Sequence, residues 1–183
     1  AKNPGSWADN LKVCYIDDFA DQTLGITTTS LAGLGATVGM GITAAVTGVL
    51  PGSGTTSVFT GYVKGIITGA TDATDGNSKL DVKIVSRVSS AGVETEIDYA
   101  EGDGFASFDT SDSVYFTSDA GNVTAAQTPT SAVDWYDQQT LGLTNSVIYW
   151  KTLAPKPGTS VYVNDRQGKN DQLHIVVVDD TGD

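Results

Sequence analysis

The sequence predicts a mainly β domain of the α+β class: an antiparallel, sandwich-like arrangement with one or two short helices and a Gly/Thr-rich insertion. Alternating runs rich in β-branched and aromatic residues recur along the whole chain. Twenty-one glycines and five prolines punctuate those runs. Capped helical patterns are confined to two short stretches near the C-terminal end. A chain of 183 residues fits one ordinary domain with room for an insertion. The whole of 1–183 is therefore read as one domain, with 22–70 as a protruding subdomain within it.

The first strand is expected from Asn10 to Ile16, where Leu11, Val13 and Tyr15 alternate with Lys12 and Cys14. From Gln22 to Val63 there is no charged side chain at all. Its stretch Leu31 to Leu50 is long enough to span a bilayer, but it holds glycines and threonines and no flanking basic residues. Those glycines also disfavour a soluble helix, at about 1 kcal/mol each relative to Ala. A half-buried loop or strand pair is the expectation. Ser57 to Thr68 reads as a strand. Leu80 to Val88 is another, with Leu80, Val82 and Ile84 on one face and Asp81 and Lys83 on the other. Ser89-Ser90-Ala91-Gly92 then turns it into Val93 to Tyr99, a hairpin. Asp72 to Asn77 and Asp98 to Gly104 read as turns. Ser113 to Thr117 is a short strand, and Ala132 to Gln139 after Ser131 is the best helix. A helical turn or two follows near Ser160 to Arg166. Gln172 to Val178 closes the chain as a buried strand.

Ten basic residues against 22 acidic ones give a net charge of -12. That excludes an ordinary nucleic-acid surface and docking on anionic membrane. The single Cys14 excludes an intrachain disulfide and a thiolate zinc site, and reads as an inert buried thiol. The single His174 leaves little for a metal cluster or a Ser-His-Asp triad, and reads as a sheet-face residue. The inventory points away from catalysis, and no cofactor is expected.

Gly48 to Thr55 has the look of a phosphate loop without its lysine, so it reads as a glycine turn. Asp72, Asp75 and Asp81, or Asp98, Glu101 and Asp103, could gather around calcium, though neither run has the alternating spacing of a calcium loop. A solvated acidic face is the simpler expectation. Asn122-Val123-Thr124 matches a glycosylation acceptor by chance. The start at Ala1 shows no signal peptide, and the strand ending in Asp179-Asp180-Thr181-Gly182-Asp183 reads as the edge of a segment cut from a longer protein.

Three blocks carry a resemblance. They are Ala1-Lys2-Asn3-Pro4-Gly5-Ser6-Trp7-Ala8-Asp9-Asn10-Leu11, Asp134-Trp135-Tyr136-Asp137, and Trp150-Lys151-Thr152-Leu153-Ala154-Pro155-Lys156-Pro157-Gly158 with the following Asp171 to Asp179. Together they resemble the contractile tail sheath proteins of T-even-like phages. Ala8-Asp9 stands where that family usually has Gly-Asn. The resemblance covers roughly 1–22 and 132–183, and the middle has no counterpart in it. It implies a structural role: sheath subunits stack as hexameric rings around a tail tube above a baseplate, in a helical array that contracts during genome ejection. The partners implied are other sheath subunits, tube and baseplate, and the location is the virion, assembled in the host cytoplasm. The segment alone is expected to be monomeric. Asn3, Pro4 and Gly5 would set a turn from which Trp7 plugs the start of the first strand. Pro155 and Pro157 would stiffen a surface connection ending at Gly158. The competing expectation is an acidic calcium- or glycan-binding β domain of a surface-layer or adhesin type.

Overall fold

A computed structural model describes residues 9–49, 58–117 and 126–180. The turn at Asn3 to Gly5, Trp7, the Asn122 acceptor and most of the glycine turn at 48–55 lie outside those residues. The strands are β1 (Leu11–Ile16), β2 (Gln22–Thr27), β3 (Gly41–Val49), β4 (Val58–Thr71), β5 (Asn77–Ser89), β6 (Glu94–Glu96), β7 (Val114–Thr117), β8 (Ser131–Asp134) and β9 (His174–Asp179). One short helix, α1 (Val161–Asn164), and 3₁₀ turns at Ala32–Leu34, Tyr136–Gln138 and Trp150–Thr152 complete the described elements. The fold is mainly β and antiparallel, as the sequence predicts.

The chain divides into two compact units. The terminal unit joins Ala1–Phe19 to Tyr136–Asp183, and the inserted unit is Ala20–Trp135.

The inserted unit is a seven-stranded sheet in the order β7-β3-β4-β5-β2-β8. The long β5 shares one edge between β2, along Asn77 to Val82, and β6, along Ser86 to Val88. Alternation along β5 buries Leu80, Val82 and Ile84 and turns Lys79 and Val85 outward. Those side chains meet Leu24, Ile26, Ile42, Val63 and Ile67 from the other strands, with Phe108, Phe116 and Leu31 closing the same cluster. Burying a side chain of this size contributes about 1.5–3 kcal/mol. Gly61 is needed where β4 and β5 pack closest, because a Cβ there would lie 1.9 Å from the Val88 carbonyl oxygen. The turn after β5 holds Gly92 at a φ of 79°, a region that glycine tolerates without strain.

The two ends of this unit meet. Asp21 N–H donates to the Val82 carbonyl (2.8 Å), and the Asp21 carbonyl accepts from Trp135 N–H (2.9 Å). The buried Asp21 carboxylate accepts from Ile84 N–H (2.8 Å) and pairs with Lys83 (3.0 Å). Gln22, also buried, exchanges two hydrogen bonds with the Phe108 backbone, at 3.0 and 2.8 Å. Desolvated polar groups cost little when every one is partnered, so this base is sealed rather than strained.

The terminal unit rests on a two-stranded ribbon. Antiparallel β1 and β9 pair from Leu11 opposite Asp179 to Ile16 opposite His174.

Three expectations need correction. Residues 132–139 do not form a helix: Ser131 to Asp134 is strand β8 on the edge of β2, and Tyr136–Gln138 is a 3₁₀ turn. The open edge of β2 offers a full ladder to a segment whose helical propensity is weak, and tertiary pairing wins. Strand 93–99 shrinks to Glu94–Glu96, because β5 offers it only the three positions Ser86 to Val88. The last strand is not buried on both faces. Val13, Tyr15, Ile175 and Val177 form its ribbon's outer face and are 67%, 73%, 61% and 60% exposed.

Candidate functional site

The residues singled out near the C-terminal end are brought together as anchors of the terminal unit, Trp135 excepted. Trp135 closes the inserted unit, its side chain buried and its backbone N–H on the Asp21 carbonyl. The next residue, Tyr136, belongs to the terminal unit, where its hydroxyl donates to the carbonyls of Ala154 (2.9 Å) and Pro155 (3.2 Å). Burial pushes that phenol's pKa up from its usual value. Trp150 is buried at the start of a 3₁₀ turn, takes the Gln139 carbonyl with its N–H (3.0 Å) and gives its own carbonyl to Leu153 and Ala154. Lys151 pairs with Asp137 at 2.9 Å on the surface.

Pro155 and Pro157 hold the stretch between them extended, and Pro157 is buried. The Pro155 carbonyl also contacts the His174 ring (Nε2 at 2.9 Å), and Lys156 between the prolines pairs with Asp18 at 2.9 Å. Gly158 opens a closed loop. Its N–H donates to the Gln172 side chain (3.0 Å), and Gln172 N–H returns to its carbonyl (3.1 Å). Ser160 N–H and hydroxyl both reach Asp171, at 2.7 Å each, and Asn170 N–H reaches Thr159 (2.9 Å). These bonds hold the Asp171 carboxyl below the ordinary carboxylate range. Ser160 caps α1 through Val163 N–H, within the stretch from Ser160 to Arg166 where the sequence predicts a helical turn. At the far end of the loop the Arg166 guanidinium lies 3.8 Å over the Tyr162 ring, with Val161 and Tyr162 exposed.

The ribbon is fastened by a second network that sequence reading missed. Asp180 accepts from Lys12 (2.8 Å), from Thr144 N–H (2.7 Å) and from the Thr144 hydroxyl (2.6 Å). Lys12 and then Thr144 hold the Asp180 carboxyl at a pKa of about 2. Nothing local marks Asp180, since its partners lie far away in sequence. Cys14 donates its thiol to the Leu141 carbonyl (3.1 Å) and is only partly buried. His174 and Cys14 are thus each engaged with backbone carbonyls rather than with a nucleophile or base.

In the inserted unit, a cavity of about 230 Å³ opens between Gln22, Tyr99, Glu101, Phe108, Asp109 and Asp134, among others. The carboxylates considered for calcium do not converge. Asp72 accepts from Leu31 N–H, Asp75 from Asn77 N–H, Asp81 from the Thr23 hydroxyl and Asp103 from Phe105 N–H. Among the described residues no three His, Cys, Asp or Glu side chains are grouped to hold a metal ion. No helix among them is long and apolar enough to cross a membrane.

The terminal unit thus presents pinned loops, an exposed Tyr/Arg pair and a bare apolar ribbon face. No protein-family model, curated protein or solved structure matches this chain.

Proposed function

We propose that this chain is part of a structural subunit of a contractile phage tail sheath. One observation carries the reading. The blocks that resemble sheath proteins, at 1–22 and 132–183, fall almost residue for residue on the terminal unit, and the stretch with no counterpart falls on the inserted unit. A resemblance confined to both ends of a chain is what an inserted module in a shared scaffold produces. Trp135 and Tyr136 mark the boundary in sequence, the first with its backbone N–H on Asp21 and the second with its hydroxyl on Ala154. The bare ribbon face and pinned loops suit a protein whose work is assembly.

The test is expression of the complete open reading frame that contains this chain, followed by negative-stain electron microscopy. Sheath subunits give tubes or stacked six-fold rings. A product that stays dispersed at high concentration, with and without tail tube protein, overturns the reading.

A further inference from the structure

We propose that the loop 158–172 of one copy docks, through Tyr162 and Arg166, on the carboxylate-lined cavity of the inserted unit of a second copy. The proposal deepens the assembly reading above and rests on it. Its basis is a segregation of charge. From Val88 to Asp137 the chain carries ten carboxylates and no Lys or Arg. From Gln138 to Asn170 it carries Lys151, Lys156, Arg166 and Lys169 against Asp165 alone. Lys151 and Lys156 pair with Asp137 and Asp18, whereas Arg166 on the loop is stacked on Tyr162.

The loop is built to present them. Hydrogen bonds from Gly158, Thr159 and Ser160 to Gln172, Asn170 and Asp171 close its neck. Arg166 is fixed flat on Tyr162 and spends one N–H on the Tyr162 carbonyl (2.9 Å). Arg166 is exposed, and its guanidinium keeps further N–H donors in the planar geometry that carboxylates accept in pairs. Little side-chain entropy is left to lose on binding, and Tyr and Arg are the residues that dominate interface energies.

The receiving surface has the matching chemistry. Glu101, Asp109 and Asp134 line the cavity beside Tyr99 and Phe108, so a guanidinium stacked on an aromatic ring meets both carboxylates and apolar wall. The net charge of -12 opposes the approach of two copies at long range, and the contact proposed here departs from the monomer that the sequence alone leads one to expect. Screening over about 8 Å at physiological salt leaves local complementarity to decide at contact. Loop and cavity are different surfaces, so a single loop–cavity contact leaves one loop and one cavity unfilled, to which further copies can add. Each contact is weak, and repetition supplies the avidity.

The test is a charge swap followed by sedimentation velocity on the chain at high concentration in 0.15 M salt. Arg166→Glu alone and Glu101→Arg alone should each weaken self-association at least about tenfold, since like charges now face each other. An equimolar mixture should restore it, because every loop then finds an opposite charge on the other variant. Circular dichroism confirms that both exposed substitutions leave the fold intact. Association unchanged in either variant, or no recovery in the mixture, overturns the proposal. So does a wild-type chain that shows no association at any concentration. Tubes that still form from the full reading frame carrying Arg166→Glu would sink this contact while leaving the sheath reading standing.

Discussion

In the inserted unit the sheet's inner face, the turns and both chain ends are all spent on one another. Phe108, Phe116 and Leu80 are buried in the same cluster, and Asp21 and Gln22 seal the point where the chain leaves and returns. The terminal unit spends its residues differently. Its polar anchors are as well made, but the outer face of the β1–β9 ribbon holds Val13, Tyr15, Ile175 and Val177 in water. Two strands alone are marginal in water, and here the Lys12–Asp180–Thr144 network and the Trp150 and Tyr136 anchors do the holding. The inserted unit closes a core of its own, although the other face of β4 still exposes Val58, Tyr62 and Ile66, and the terminal unit is organised as a surface.

The largest expected effects break the finished unit. Phe108→Ala removes a fully buried ring and should cost about 3–5 kcal/mol, read as a shift in the urea midpoint of segments within 20–135. Gly61→Ala forces β4 and β5 apart at the Val88 carbonyl and should cost about 3 kcal/mol, at the upper end of ordinary overpacking. A normal midpoint for both variants would show that the core is looser than its burial implies.

The ribbon should respond in the opposite way. Tyr15→Ser and Val177→Thr alter its bare face and should change stability by less than about 0.5 kcal/mol, the usual range for exposed positions. A cost above about 2 kcal/mol would place that face inside a packed core and erase the contrast between the units.

Acid sharpens the comparison further. Asp180 is held at a pKa of about 2, below the ordinary 3.8, so its bonds favour the folded state when the carboxyl is ionised. That stabilisation is complete above about pH 4 and disappears as pH falls towards 2. The urea midpoint of the ribbon should therefore exceed that of Asp180→Asn above pH 4, and the two should converge near pH 2. A gap that does not change with pH would assign the difference to shape rather than charge.

The smallest expected effect concerns calcium. A site with a dissociation constant near 10 μM would add about 2.7 kcal/mol at 1 mM calcium. With Asp72, Asp75, Asp81 and Asp103 each engaged by an N–H or hydroxyl donor, calcium should raise the melting temperature no more than magnesium does. A calcium-selective rise that survives 0.15 M salt would favour a calcium-binding adhesin over a sheath.

What could be read from the sequence follows from where the signal sits. The alternation of Leu80, Val82 and Ile84 and the Ser89 to Gly92 turn are local, and both appear in the structure as drawn from the residues. The Ser160 cap is local too. Strand β8 was hidden because its partners, Gln22 to Gly25, stand at the other end of the inserted unit. The Leu173 to Val178 run misled for another reason: a continuous apolar stretch reads the same whether one face or both are covered. Among the site residues, Tyr136, Trp150, Pro155, Pro157 and Gly158 were marked by the resemblance, but their roles as anchors required the geometry. Asp21, Gln22 and Asp180 carried no local mark, since each acts through partners distant in sequence.

Hydrogen exchange followed by mass spectrometry through a urea series tests the division into a finished unit and a surface-forming one most directly. Peptides covering 24–27, 42–46, 63–67 and 80–84 should lose protection together at one midpoint, as a single cooperative block. Peptides covering 11–16 and 174–179 should lose it earlier, at a midpoint of their own. One shared midpoint for all six segments would contradict the account.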